Sequence, residues 1–117
     1  MKIVEFPKEA AEPIELFNSV AASSIPLGHG DGEAHVYCVY IEAGGAINRH
    51  EAGFGQLFLI IHGTGWAEGD DGQRVNLKAG QGIYFERGEH HAKGSDSGMT
   101  AIMVQVKTLT PANPQDP

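Results

Sequence analysis

The sequence holds one cysteine, Cys38, in 117 residues. No internal disulfide can form, which suits a reducing compartment. Cys38 lies in the apolar run His35–Ile41, where a buried strand thiol is expected rather than a nucleophile. Positive charge is also scarce. Eight Lys and Arg stand against fifteen Asp and Glu, a net charge of −7. The basic residues are scattered singly from Lys2 to Lys107, so no stripe exists to neutralise phosphates. This argues against nucleic acid or an anionic membrane as partner. No stretch approaches the ~20 apolar residues of a membrane span. The opening MKIVEFPKEAAEP lacks the uninterrupted apolar segment of a signal peptide, so a cytoplasmic location is expected. A long amphipathic helix is missing too.

Glycine is abundant instead, with 16 residues dispersed along the chain. That is about twice the usual ~7%. Glycine supplies left-handed turn positions, so many dispersed glycines predict many short strands. Lys2–Phe6 reads as a short strand stopped by Pro7. Pro13–Val20 has the composition for one or two helical turns, and Gly28–Gly32 reads as a loop. From His35 the pattern is that of a β protein. Strands are expected over His35–Glu42, Ala46–Glu51, Gln56–His62, Trp66–Glu68, Arg74–Lys78, Ile83–Glu86 and Met99–Lys107. Asp71-Gly72 marks a hairpin turn. Ala92–Gly98 is polar and reads as a loop. The tail from Thr108 holds three of the six prolines and is expected to be extended or disordered. The organisation is an N-terminal segment 1–34, a β domain 35–107 and a tail 108–117. Short strands at this spacing predict an all-β sandwich or barrel.

Histidine is the commonest metal ligand and the usual acid–base group near neutral pH. Six are present, and position must discriminate among them. His50 ends a short strand that begins after Gly44-Gly45. His91 follows a second glycine-punctuated segment. In this arrangement the sequence resembles the cupins, whose first motif is G-x5-H-x-H-x3–4-E-x6-G and whose second is G-x5-P-x-G-x2-H-x3-N. Gly44, His50 and Gly63 match the first. Gly80, Gly88 and His91 match the second. Gln56 stands at the glutamate, Ala52 at the second histidine, Glu86 at the proline and Ser95 at the asparagine. The resemblance covers Gly44 to Ser95 and implies a jelly-roll barrel, the double-stranded β-helix. It does not imply a reaction, because this fold hosts many unrelated activities.

A full cupin site offers three histidines and a glutamate to a divalent metal. The resemblance therefore implies a reduced set here: His50, Gln56 and His91. Two imidazoles and an amide oxygen favour Zn, Ni, Fe or Cu over Ca or Mg. Side chains two apart on a strand share a face. His50 and Ala52 thus look one way and Glu51 the other, while Gln56, Phe58, Ile60 and His62 are expected on one face. Glu86 is a candidate general base or ligand-orienting carboxylate; its simpler reading is a solvated charge at a strand end. Arg87, Glu89 and His90 are expected on a turn surface and His29 in an exposed loop. His35 is expected to be an ordinary strand residue, and Trp66 is a possible wall of the pocket.

The leading functional reading is a barrel that binds a small molecule at a divalent-metal site, with oxygenase, isomerase or lyase chemistry as its enzymatic form. The alternative is a metal-free binding or sensing module using the same polar groups. A third is a non-catalytic structural partner. A homodimer formed through edge strands is expected, with the N-terminal segment as the piece that docks or swaps.

Overall fold

The computed structural model describes all residues from Met1 to Pro117. It contains ten strands: β1 (Lys2–Glu5), β2 (Glu12–Pro13), β3 (Ser23–Ser24), β4 (Gly28–Ile41), β5 (Gly45–Glu51), β6 (Gly55–Glu68), β7 (Arg74–Lys78), β8 (Gln81–Phe85), β9 (His90–Ser95) and β10 (Met99–Pro111). A single 3-10 turn, Lys8–Ala10, is the only helical element. No helix is long and apolar enough to cross a membrane. The helical turns expected over Pro13–Val20 do not form. β2 and β3 pair there instead, and Phe17, Asn18 and Ala21 take left-handed backbone angles that interrupt any helix.

Two sheets share β6. The first runs β1-β8-β6-β10-β4. The second uses the other half of β6, which pairs with β7 and β9, and β9 pairs in turn with β5. The first sheet thus ends at β4 and the second at β5. These two edges are not hydrogen-bonded to each other, and His35 and Tyr37 on β4 and His50 on β5 are exposed, which makes this the open side.

The alternation of side chains explains the core. On β6, β10 and β4 the register places Ile60, Ala101 and Val39 in one row, and Phe58, Met103 and Tyr37 in the next. Ile60, Ala101, Phe58, Ile83 and Phe85 are buried together in the main core. The same alternation puts Gln56, Gln105 and His35 in the third row. The inner face therefore passes, along the strands, from an apolar floor to a polar row. A smaller cluster, Val4, Leu57 and Leu59, sits on the other face of the first sheet.

Several expectations are corrected. β4 begins at Gly28, so Gly28–Gly32 is strand: it pairs with Thr108–Pro111, which is likewise strand and not tail. Cys38 is exposed, because β4 is an edge whose outer face nothing covers. His62 does not share the face of Gln56. The pairing of β6 with β10 slips between His62 and Ile60, and such a bulge reverses the facing of every residue beyond it. Ala92–Ser95 is strand, not loop, and it is buried between β5 and β6. β1 pairs with β8 of its own chain.

Candidate functional site

β5 and β9 bring the two motif histidines together. His50 and His91 are register partners, 41 residues apart in sequence. Their Nε2 atoms are 3.1 Å apart, and the rings meet edge to face with centroids 4.5 Å apart. His91 is buried and packs its ring edge on Phe85; His50 is exposed on the open side. The tautomers follow from the partners. His50 Nδ1 is 2.7 Å from the Asn48 carbonyl oxygen, so Nδ1 carries the hydrogen and donates it. In neutral His50 the Nε2 lone pair is then free to accept from His91 Nε2–H. That leaves His91 Nδ1 as a buried acceptor with no donor. Burial, reinforced by Lys93, His50 and His90, lowers the His91 pKa to about 3, so it is a neutral imidazole over the physiological range.

Gln56 is buried as expected, but its amide oxygen is engaged. It accepts a hydrogen bond from Lys93 Nζ. Lys93 is two residues beyond His91 on β9 and shares its inward face. Only 1% of Lys93 is exposed. Its ammonium lies 4.8 Å from the Phe58 ring centre and 5.3 Å from that of Phe85. Burial lowers its pKa to about 7. No carboxylate pairs with it. Sequence reasoning missed Lys93 because Ala92–Gly98 looked like a loop. The usable signal was the H-x-K spacing: if His91 faces inward on a strand, so does Lys93.

The residues present do not fit a resident divalent ion. The 3.1 Å separation of the two Nε2 atoms would suit neighbouring ligands of one ion, since Zn–N bonds are ~2.0–2.1 Å. Nothing completes the set. Ala52 holds the place of the second histidine and is buried. Gln56 is bonded to an ammonium. No cluster of three or more His, Cys, Asp or Glu exists. Two neutral imidazoles with no anionic ligand give a weak site, and a buried ammonium on the same face opposes a second cation.

The other candidates lie elsewhere. Glu86 is exposed at the end of β8, where its backbone N–H donates to Glu89. Its side chain is exposed and outside the barrel, on the opposite side from buried Phe85 before it. Glu89 is more enclosed than expected and binds the N-terminal ammonium of Met1. His90 is exposed beside Asp70. His35 faces the open side, bonded to Glu33 and stacked with Phe54 and Tyr37. Trp66 is on the outer face, not the interior. The Arg74 guanidinium lies 3.6 Å from its ring centre. The ring crosses Gly94, where an added Cβ would strike it. Trp66 borders an outer groove of about 420 Å³ with Thr64, Asn76 and Asp96.

Comparison with known structures supports this architecture. A conserved protein of unknown function from Streptococcus pyogenes is 21% identical with a TM-score of 0.61, over 66% of this chain and 67% of that one. A cupin-like protein from Thermotoga maritima is 17% identical with a TM-score of 0.62, over 80% and 82%. The DMSP lyase DddQ from Ruegeria pomeroyi is 20% identical with a TM-score of 0.58, over 62% of this chain but only 38% of the lyase. These likenesses establish the cupin jelly-roll fold. No functionally curated protein matches the sequence. The family model of the AraC-like ligand binding domain matches residues 33–111, from β4 to the end of β10. The chain is a small cupin domain and belongs to the family of AraC-like ligand-binding domains.

Proposed function

We propose that this barrel binds a small organic molecule without a metal, through its open side between β4 and β5. Exposed His50, backed by His91, Gln56 and Lys93, supplies polar contacts, and Met103 and Tyr37 supply apolar surface. The observation that carries this reading is the hydrogen bond from Lys93 to Gln56. It puts a cation of the protein's own beside the third donor that a metal would need. The family's description as a ligand-binding domain supports the same view. The free Nδ1 of His91 and the two unused N–H groups of Lys93 are groups a ligand would satisfy.

The test is elemental analysis of untagged protein, followed by a thermal-shift screen of small molecules in the presence of a chelator. The expected result is no stoichiometric metal and at least one ligand that raises Tm. One equivalent of zinc, nickel, iron or copper, lost in the His50→Ala, His91→Ala double variant, would overturn it.

The partner reading is a homodimer through β4. This 14-residue edge strand leaves one side of its backbone unpaired and exposes Val36, Cys38 and Tyr40 on its outer face. Such an edge is a template for another strand. Light scattering at micromolar concentration should give twice the 12.5 kDa chain mass; a monomer mass removes this part of the proposal.

A further inference from the structure

Lys93 is the one Lys, Arg, Asp or Glu in the chain that is fully buried. One of its three N–H donors meets the Gln56 amide oxygen. Two aromatic faces, Phe58 and Phe85, lie within reach of its charge. Ring faces attract a cation but do not neutralise it. None of the five ion pairs in the molecule includes Lys93. A buried charge without a counter-charge is costly, and natural proteins pair such groups. Here the protein supplies no anion.

We propose that the anion comes from the ligand: a small monocarboxylate with an apolar body enters from the open side, displaces the side chains that close over Lys93 and Gln56, and pairs its carboxylate with Lys93 Nζ while its body lies along half-buried Met103 and exposed Tyr37. This rests on the metal-free binding reading above. A carboxylate suits the site better than a phosphate. There is one cation, no arginine and no helix N-terminus to share a second negative charge. The row Gln56, Gln105, His35 leads from Lys93 to the open side, where Gln105 is half-buried and His35 exposed. The acidic surface opposes an anion at long range. Salt screens that field beyond ~8 Å, whereas the pairing inside the barrel is screened much less.

The experiment is calorimetric and thermal-shift titration of the intact chain, in chelator, with benzoate, phenylacetate and hexanoate and with their amides. At least one acid should bind, with its amide at least tenfold weaker. Lys93→Met gives an unbranched side chain one atom shorter and removes the charge; it should lose acid binding at least tenfold while keeping a wild-type or higher Tm. Should Lys93→Met fail to fold, the Lys93 Nζ resonance in wild-type protein should move on titration with the acid and stay fixed with the amide. Equal binding of acid and amide, acid binding that survives Lys93→Met, or an unmoved resonance overturns the carboxylate inference and leaves ligand binding intact. If none of the acids binds but a neutral molecule does, the inference again fails alone. If nothing in the acids, the amides or the wider chelator screen raises Tm, both readings fall.

Discussion

β9 and β4 invert the ordinary relation between composition and burial. β9 reads HHAKGS, a polar sequence, yet every residue after His90 is buried. β4 carries Val36, Tyr37, Cys38, Val39, Tyr40 and Ile41, and only the last is buried. Position in the sheets accounts for both. β9 lies between β5 and β6, with a second sheet across its inner face. β4 is an edge opposite an unjoined side. Apolar content does not decide burial here; neighbours do. A polar strand forced inside must justify each polar atom by a partner, so its unmatched atoms mark a site. An apolar strand left outside marks a contact surface.

This contrast can be broken at several points. The largest effect is expected on β9, at Gly94. Any side chain there meets the Trp66 ring and, at 2.7 Å, the Gly45 carbonyl oxygen. Gly94→Val should cost about 3 kcal/mol or more in chemical denaturation, because packed interiors resist added volume. A loss under about 1 kcal/mol would mean that β5 and Trp66 are not seated as described.

Lys93→Met should act in the opposite direction. Replacing an unmatched buried charge with an apolar group of similar length should stabilise the free protein by about 1–3 kcal/mol at pH 7. Destabilisation of similar size would show that the hydrogen bond from Lys93 to Gln56 outweighs the cost of burying the charge.

The pH dependence separates the two inward groups of β9. Lys93 has a folded pKa of about 7 against 10.5 for an unperturbed lysine. Between those values the unfolded chain holds the extra proton, so wild-type stability should rise with pH relative to Lys93→Met. The slope should approach ~1.4 kcal/mol per pH unit. His91 has a folded pKa of about 3 against 6.5 unperturbed. The unfolded chain again binds more protons between these values, so stability should fall as pH drops from 6.5 towards 3. His91→Gln should flatten that acid limb. Parallel wild-type and variant curves would remove the stated burial of either group.

The smallest effect on folding is expected on β4. Val36→Thr or Tyr40→Thr on its exposed face should change monomer stability by less than about 0.5 kcal/mol. Tyr40→Lys should shift mass towards monomer in light scattering, because a charge placed on an exposed edge strand opposes pairing.

Much of the barrel was legible in the residues. Arg74–Lys78 forms a strand with the bounds read from the sequence, and β5, β8 and the start of β10 lie within one or two residues of theirs. The four motif glycines Gly44, Gly63, Gly80 and Gly88 all take positive φ, between 80° and 89°. The motif spacing is therefore largely a turn code, which is why it foretold a fold better than a reaction. Of the site, the meeting of His50 and His91 and the place of Gln56 followed from the resemblance to the cupin motifs, and strand alternation added only which of their neighbours share a face. Lys93 was not, because local polarity says nothing about which strands lie on either side. His62 was misassigned because a bulge depends on how two distant strands pair.

The sequence alone determined that this chain is a turn-rich β protein with two histidines at equivalent strand positions and no full set of metal ligands, since turns and alternation are local properties of the backbone. Only the tertiary structure decided that β9 is interior, that Gln56 answers to Lys93, and that β4 is left at the edge. Those outcomes depend on long-range pairing, which sets each side chain's solvent and partners and is written in no single segment.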